Sequence, residues 1–319
     1  MPEVSVIIPN YNGVAYIRDC LDALQTQTGP AFEIIFVDNG SADESTAIVE
    51  TEYPDVRLLK LDKNYGFSKA VNEGILAARA PYVILLNNDT KVQPDFVAQL
   101  WTAIRADEKL FCVQAKMLQM HDPSKIDSAG DYYCALGWAF SVGKDAPADR
   151  YTASRKIFSG CAGAAIYRKK ALQDLGLFDE MHFAYLEDVD VGYRARIHGM
   201  YNAFCPEALV YHVGSGFSGS RYNDFKVRLS AQNSIYLVYK NMPWLQILLN
   251  LPFLLPGFLL KILFFIRKGH IAAYAQGMRQ GFGLCRTQKK VRFHWSNFIN
   301  YCKIQWELWR NLPRMIGKY

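Results

Sequence analysis

Three groups of side chains in this 319-residue sequence could do chemistry. Asp89 closes the apolar run Tyr82-Val83-Ile84-Leu85-Leu86, after Asn87 and Asn88. His212 follows Leu209-Val210-Tyr211 and precedes Val213-Gly214-Ser215. Between them, Glu187, Asp188 and Asp190 crowd three acids into four residues. A carboxylate and an imidazole at separate strand tips suit a divalent cation that carries a diphosphate, because phosphate oxygens and water fill its other positions. The imidazole makes Mn²⁺ as good a fit as Mg²⁺. Each group also has a plainer reading. Asn-Asn-Asp is ordinary turn chemistry, a lone histidine is more often structural, and acids in a first helical turn are favoured by the helix dipole. Val189, Tyr193 and Ile197 fall at helical spacing and put Glu187-Asp188 at a helix start. Three acids there exceed what capping needs, and their repulsion costs stability without a cationic partner.

The elements that must position these groups are legible in the first 110 residues. Val4-Ser5-Val6-Ile7-Ile8 reads as a strand ending at Pro9, Phe32 to Val37 as a second ending at Asp38, and Val56 to Leu61 as a third. Tyr82 to Leu86, apolar throughout, reads as a strand buried on both faces of a parallel sheet. Helical patterns run from Tyr16 to Gln27, Ala42 to Glu52 and Phe67 to Ala78. Strands alternating with helices of this length indicate βαβ units around a mostly parallel, Rossmann-like α/β sheet. Right-handed crossovers then gather the strand ends on one edge, where open α/β sheets bind ligands. Four polar tips meet there: Pro9-Asn10-Tyr11-Asn12, Asp38-Asn39-Gly40-Ser41, Asn64-Tyr65-Gly66-Phe67 and Asn88-Asp89. No G-x-G-x-x-G follows the first strand and no G-x-x-x-x-G-K-[ST] occurs, which argues against a dinucleotide site and a P-loop.

Composition sets the remaining bounds. At 50% hydrophobic and 14% aromatic residues the chain can bury a sizeable core. Its seven cysteines are scattered, odd in number and without a C-x-x-C pair, which points to a reducing compartment and away from disulfides or a cysteine zinc site. The first residues enter a strand at once, with no charged-then-apolar leader. Net charge is +6, but from Arg267 to Tyr319 there are 11 Lys or Arg and one acid, Glu307, so that segment alone carries +10. Ahead of it, Leu245 to Ile266 is apolar except for Gln246, Asn250 and Lys261, and is interrupted by Pro252, Pro256 and Gly257.

Taken in order, Val6-Ile7-Ile8-Pro9-Asn10-Tyr11-Asn12, Val37-Asp38-Asn39-Gly40-Ser41, Asn64-Tyr65-Gly66-Phe67, Leu86-Asn87-Asn88-Asp89, Leu186-Glu187-Asp188-Val189-Asp190 and His212 resemble the inverting nucleotide-sugar glycosyltransferases of family two, which have the GT-A fold. The resemblance covers roughly residues 3 to 240, and the Asn-Asn-Asp and Glu-Asp-Val-Asp forms look most like the bacterial rhamnosyltransferase branch. It implies that Pro9, Asn10, Tyr11 and Asn12 shape the nucleotide pocket and that Asp38 accepts a hydrogen bond from the base. Asn64, Gly66 and Lys69 would line the ribose and phosphate side, and Asn88 and Asp89 would stand at the Asp-x-Asp element. Asp89 and His212 would bind Mn²⁺ or Mg²⁺, with Asn87 where the first aspartate usually sits. Asp188 matches the catalytic base, and Glu187 and Asp190 would orient the acceptor and the base. Trp138, with Tyr185 and His182, would shape the sugar and acceptor side.

The implied donor is a nucleoside-diphosphate sugar, dTDP-rhamnose first and a UDP-sugar second, and the implied acceptor is a lipid-linked glycan. The Gln-x-x-Arg-Trp element of processive synthases is missing, since Arg292-Phe293-His294-Trp295 lacks the glutamine. A sugar nucleotidyltransferase would need a glycine-rich start with arginine. A nucleotide-sugar-binding pseudoenzyme would be expected to have lost Asp188, Asp89 or His212. The expected organisation is a glycosyltransferase domain over 1–240, with a nucleotide-binding half at 1–110 and an acceptor half at 111–240. A helical region follows at 241–319. Leu245 to Ile266 is long enough to cross ~30 Å of hydrocarbon. Its interruptions and the basic, aromatic tail favour a monotopic association with an anionic membrane surface, on the cytoplasmic face of the bacterial inner membrane. Nucleic acid has only charge in its favour. The C-terminal region is also where an oligomer contact would form.

Overall fold

The computed structural model of the chain describes residues 1–214 and 222–316, so Ser215 lies outside the described residues. The first half alternates as periodicity predicts: β1 (Val4–Asn10), α1 (Ile17–Gln25), β2 (Phe32–Asp38), α2 (Ser45–Glu52), β3 (Arg57–Lys60), α3 (Phe67–Ala77) and β4 (Tyr82–Leu86). There follow β5 (Thr90–Val92), α4 (Phe96–Arg105), β6 (Leu110–Gln119), β7 (Ile126–Ser128), β8 (Asp131–Cys134), β9 (Trp138–Ser141), β10 (Arg155–Ile157) and β11 (Ala164–Arg168). Next come α5 (Lys169–Asp174), α6 (Glu187–Ile197), β12 (Tyr201–His212), α7 (Asp224–Asn241), α8 (Trp244–Arg267), α9 (Ile271–Thr287) and α10 (Phe298–Ile316).

β1 lies parallel to both β2 and β4, and β2 parallel to β3, so the tips of these strands share one edge. Register sets Asn10 opposite Asp38. Ile17, Cys20, Leu21 and Leu24, at helical spacing, turn one face of α1 into the core. Two features differ from the sequence-based expectation. β4 is parallel on one side only, because β11 runs antiparallel along its other side with Ala164 opposite Leu86. Apolar residues on both strand faces report burial, not the direction of the neighbour. The strand expected at Leu209 to Tyr211 is the end of a longer one that begins at Tyr201. Its pairing with β6 shifts register between Cys205 and Leu209, around Pro206, which cannot donate to the ladder.

The C-terminal helices pack on the sheet domain through shared core. Tyr133, Phe158, Tyr193, Tyr301 and Leu308 form one buried cluster with Leu254 of α8. Asn250 of α8 and Gln305 of α10 exchange side-chain amide hydrogen bonds at 2.7 and 2.8 Å. α8 buries only Gln246, Asn250, Leu254 and Gly257, a single stripe, and leaves leucines such as Leu248 and Leu255 exposed. Among the described residues, α8 is the one helix apolar and long enough to cross a membrane.

Candidate active site

The strand tips are wired together by amides. The Asn10 amide donates to Asp38 Oδ1 (3.1 Å), Ser41 Oγ (3.1 Å) and Ser45 Oγ (2.9 Å), and Asn10 Oδ1 accepts from the Asn88 amide at 2.6 Å. One side chain thus joins the ends of β1, β2 and β4. Gly13 is required beneath it, since an added Cβ would lie 2.0 Å from Asn88 Nδ2. Asn39 does the same one tip further on. Its amide donates to Asn64 Oδ1 (3.0 Å) and Gly66 O (3.1 Å), and its Oδ1 accepts from Tyr65 N (3.0 Å).

Asp89 and His212 meet because β5, which starts one residue after Asp89, pairs antiparallel with the end of β12. His212 stands opposite Thr90, and Val213 N donates to Asp89 O at 3.0 Å. His212 Nε2 then lies 3.3 Å from Asp89 Oδ1, while Nδ1 lies 2.8 Å from Asp127 Oδ2. Asp127 is paired in turn with Lys144. Burial opposes charge on the imidazole, but the hydrogen bonds to Asp127 and Asp89 outweigh it and raise its pKa to about 9, so a cation would have to displace the proton from Nε2. The arrangement fits a divalent cation: a carboxylate oxygen and an imidazole nitrogen converge, and the far ring nitrogen is fixed by a carboxylate, as in metal-ligating histidines.

The acids at the start of α6 are held by strain and by clamps. Tyr185 and Leu186, neither of them glycine, have φ of 73° and 67°. Such left-handed backbone persists only where surroundings over-determine it. Asn233 of α7 supplies part of that, donating to Ala184 O (2.9 Å) and Tyr185 O (2.7 Å). From α3, Ser68 Oγ donates to His182 O (2.6 Å), and Phe67 N to Phe183 O (2.7 Å). Asp188 accepts from Val189 N at 2.7 Å. Burial raises the Asp188 carboxyl to about 6 against these backbone hydrogen bonds. Burial, and then the charge of Asp188, push Glu187 well above the usual carboxylate range. Burial thus lifts both carboxyls, and Glu187 further because the charge of Asp188 adds to it.

A cavity of about 550 Å³ brings these pieces together. Pro9, Asn10, Tyr11, Asn64, Gly66, Asn88, Asp89, Glu187, Asp188 and His212 line it, all of them singled out in the sequence. Asn12, Asp38, Lys69, Trp138 and Asp190 do not line it. Asn12 has φ of 52° and ties the first tip to Ser41 and Ala42. Asp38 is buried against Asn10 and accepts from Ser41 N at 3.1 Å. Lys69 reaches Glu73 (2.7 Å) and Glu180 (3.5 Å) instead of the cavity. The Trp138 ring lies under Lys261 Nζ, 5.5 Å from the centroid. Asp190 is fully buried between Arg194 (2.7 Å), Lys240 (2.8 Å) and the Asn241 amide (2.8 Å), and Lys240 also reaches Asp179 at 2.6 Å.

Several groups at the site have no signal in the sequence. Asp127 carries no motif, and only the contact with His212 reveals it. Asp131 and Cys161 line the cavity, with ligand atoms within 4.8 Å of one another and of Asp188. Burial, and then the charge of Asp188, hold the Cys161 thiol well above its ordinary pKa, so it stays protonated and is a poor cation ligand. Lys226 and Phe225 of α7 also line the cavity, brought there by the packing of a distant helix.

A family model described as "Glycosyl transferase family 2" matches residues 5–176. The uncharacterized glycosyltransferase YibD of Escherichia coli (strain K12) is 40% identical over 109 residues, 33% of this chain and 31% of that protein. The putative glycosyltransferase EpsH of Bacillus subtilis (strain 168) is 39% identical over 31% of this chain and 29% of its own length. The chain therefore spans about a third of the first curated relatives it matches. A longer match, at 27% identity, covers 65% of this chain and 75% of the N-acetylglucosaminyl-diphospho-decaprenol L-rhamnosyltransferase of Mycobacterium tuberculosis (strain CDC 1551 / Oshkosh). Among solved structures, GalNAc-T7 with UDP, GalNAc and Mn²⁺ superposes with a TM-score of 0.60 at 17% identity, over 75% of this chain and 48% of that one. That likeness concerns the fold.

Proposed function

The chain belongs to glycosyl transferase family 2, and on that premise we propose that it moves a sugar from a nucleoside-diphosphate donor to a hydroxyl of a lipid-linked glycan during cell-surface polysaccharide synthesis. Rhamnose carried on dTDP is the first candidate, supported by the match to the mycobacterial rhamnosyltransferase; a UDP-sugar is the second. The observation that carries this reading is the shared cavity: Asp188, ionised near neutral pH, faces the same space as the Asp89–His212 pair and the amide-lined strand tips. The tips suit a nucleotide, with Asp38 acting through Asn10, which it holds in place.

In the proposed reaction the acceptor oxygen attacks the anomeric carbon, the bond from that carbon to the diphosphate oxygen breaks, and its electron pair leaves with the diphosphate. Asp188 takes the hydroxyl proton as general base. With one base on one face the displacement is single and the configuration inverts. Burial and the charge of Asp188 favour the neutral form of Glu187, which lessens the repulsion between the neighbouring acids. Asp89 and His212 would hold Mn²⁺ or Mg²⁺, which supplies charge neutralisation at the departing diphosphate. Lys226, a cavity-lining cation, replaces Lys69 as the side chain suited to reach that group. Asp190 anchors α6 to α7 behind the acids, and so orients the base without touching substrate.

The exposed leucines of α8 and the positive charge of the residues after it support a monotopic seat on the cytoplasmic face of a bacterial inner membrane. A helix whose polar residues Gln246 and Asn250 are buried against the domain suits lying along a bilayer better than crossing it. Nucleoside-diphosphate release from a panel of donors, with Mn²⁺, Mg²⁺ or chelator, tests the reading. Metal-dependent turnover, highest with dTDP-rhamnose and lost in Asp188→Asn while donor binding survives, is expected. Full activity of that variant would remove Asp188 from the role of base.

A further inference from the structure

A second cavity, of about 750 Å³, lies on the far edge of the sheet, between β10, the β12 start and α10. The edge strand β10 supplies Arg155 and Lys156, the turn before β6 Lys109, the end of α6 Arg196, and α10 Lys303, Arg310 and Arg314. Two acids, Asp107 and Glu307, face these seven cations, and both are engaged. Glu307 pairs with Arg196. Asp107 accepts from Tyr201 Oη and Lys109 N, each at 2.8 Å.

Three of the other cations are held by rings or a carbonyl. Arg155 stacks on Tyr151 at 4.1 Å and donates to Ala129 O at 2.8 Å, Lys156 sits over Tyr201 at 4.2 Å, and Arg314 over Tyr132 at 4.9 Å. The Nε atoms of Arg155 and Arg196 are buried without a partner among the described residues. Burial lowers the pKa of both guanidinium groups. Positive charge gathered in a cleft, with its acids already spoken for, focuses a field that attracts anions, and arginine's planar fork suits phosphate oxygens.

The surroundings identify where the anion comes from. Lys303, Trp306 and Arg310 occupy successive turns of one α10 face, and Trp306 lines the cleft while remaining 66% exposed. Ile299 and Trp309 are exposed on the same helix, which is tied to the leucine-rich α8 by the Asn250–Gln305 pair. Tryptophan beside lysine and arginine next to an apolar surface suits the headgroup layer of a bilayer.

We propose that this cleft is a binding site, separate from the donor cavity, for phosphate headgroups displayed at a membrane surface. It rests on the membrane seat of α8 proposed above, and it gives that seat a chemical preference and fixes which edge of the sheet faces the lipid.

Flotation of the full chain with liposomes tests it, using neutral phosphatidylcholine alone or with one-fifth phosphatidic acid. Binding to neutral vesicles reports on α8, and donor turnover with a soluble acceptor reports on the transferase reading. The part of the phosphatidic-acid increment that depends on Lys303 and Arg310 reports on the cleft, apart from the basic charge of the rest of the tail. The expected increment is about tenfold or more in apparent affinity, lost in Lys303→Glu/Arg310→Glu and largely kept in Arg279→Glu/Lys289→Glu, which reverses two exposed charges outside the cleft. Equal loss in the two double variants, or no increment in the natural chain, overturns the site. Saturable binding of inorganic pyrophosphate without a vesicle increment assigns the cleft to a soluble phosphate and overturns the bilayer as the source.

Discussion

In the Asp188→Asn variant, turnover should fall by about 10²–10⁴-fold, the usual contribution of a positioned general base, while the folded chain gains stability at neutral pH. The gain follows from burial, which lifts the Asp188 carboxyl from 3.8 to about 6. At about 1.4 kcal/mol per pH unit, holding Asp188 ionised costs the native chain about 3 kcal/mol at most, with the titration shared by Glu187. Below the unfolded value the carboxyl is protonated in both states and the cost vanishes. As pH rises from about 3.8 towards 6 the unfolded chain loses its proton first, so stability declines, and the whole cost is present above 6.

Asparagine does not titrate. The variant's advantage in denaturant unfolding should therefore be near zero at roughly pH 3 and approach about 3 kcal/mol at roughly pH 8. The same pKa predicts that the natural enzyme releases nucleoside diphosphate roughly tenfold more slowly at about pH 5 than at about pH 7. A carboxylate at 3.8 would lose almost nothing over that range. A flat rate down to about pH 4.5, or an Asp188→Asn stability change that is the same at both pH values, would refute the link between burial and basicity.

Asp127→Asn should weaken Mn²⁺ activation about 10–100-fold, because it removes the carboxylate that orients His212; metal titration of donor turnover measures this. Gly66→Ala should destabilise by roughly 2 kcal/mol or more, since φ there is 91° and the new Cβ would lie 2.4 Å from Phe183 O. Urea unfolding checks it, and a shift under about 0.5 kcal/mol would show that the loop simply moves. Asn233→Ala leaves the carbonyls of Ala184 and Tyr185 without their donor, at about 1–3 kcal/mol, and should lower kcat more than it raises donor KM because the Asp188 loop loosens. Lys240→Met removes the cation shared by Asp179 and Asp190, leaving Asp190 with Arg194 and Asn241 and Asp179 with the Tyr236 hydroxyl, and should cost about 3 kcal/mol, read from the unfolding midpoint.

The strand tips could be read from sequence because the signals there are local. An apolar strand that stops at Asn-Asn-Asp, or a second that stops at Asp-Asn-Gly-Ser, announces both the end of the element and the side chains delivered to the sheet edge. The acids of α6 were visible for the same reason, as a cluster exceeding what a helix start needs. Lys69 shows the limit. Proximity along the chain to Asn64 and Gly66 suggested a phosphate ligand, but one helical turn on it meets Glu73 and turns away from the cavity. Asp190 likewise belongs to the acid cluster in sequence, yet the helix period carries it to the opposite face, where Arg194 and Lys240 neutralise it.

Local patterns are enough to place the alternation of strands and helices, the shared edge of their tips, and Asp89, Asp188 and His212 as the groups to watch. These follow from residue periodicity and from turn chemistry, both of which act over a few residues. The packed fold pairs β5 with β12 so that Asp89 and His212 come within 3.3 Å, and sets Asp127, from a short strand without a motif, against the imidazole. It alone showed α7 clamping the strained loop before Asp188, and α10 closing a cationic cleft on the other edge. Contacts of this kind join segments 40 to more than 100 residues apart, and they depend on strand order and helix packing, which no local pattern encodes.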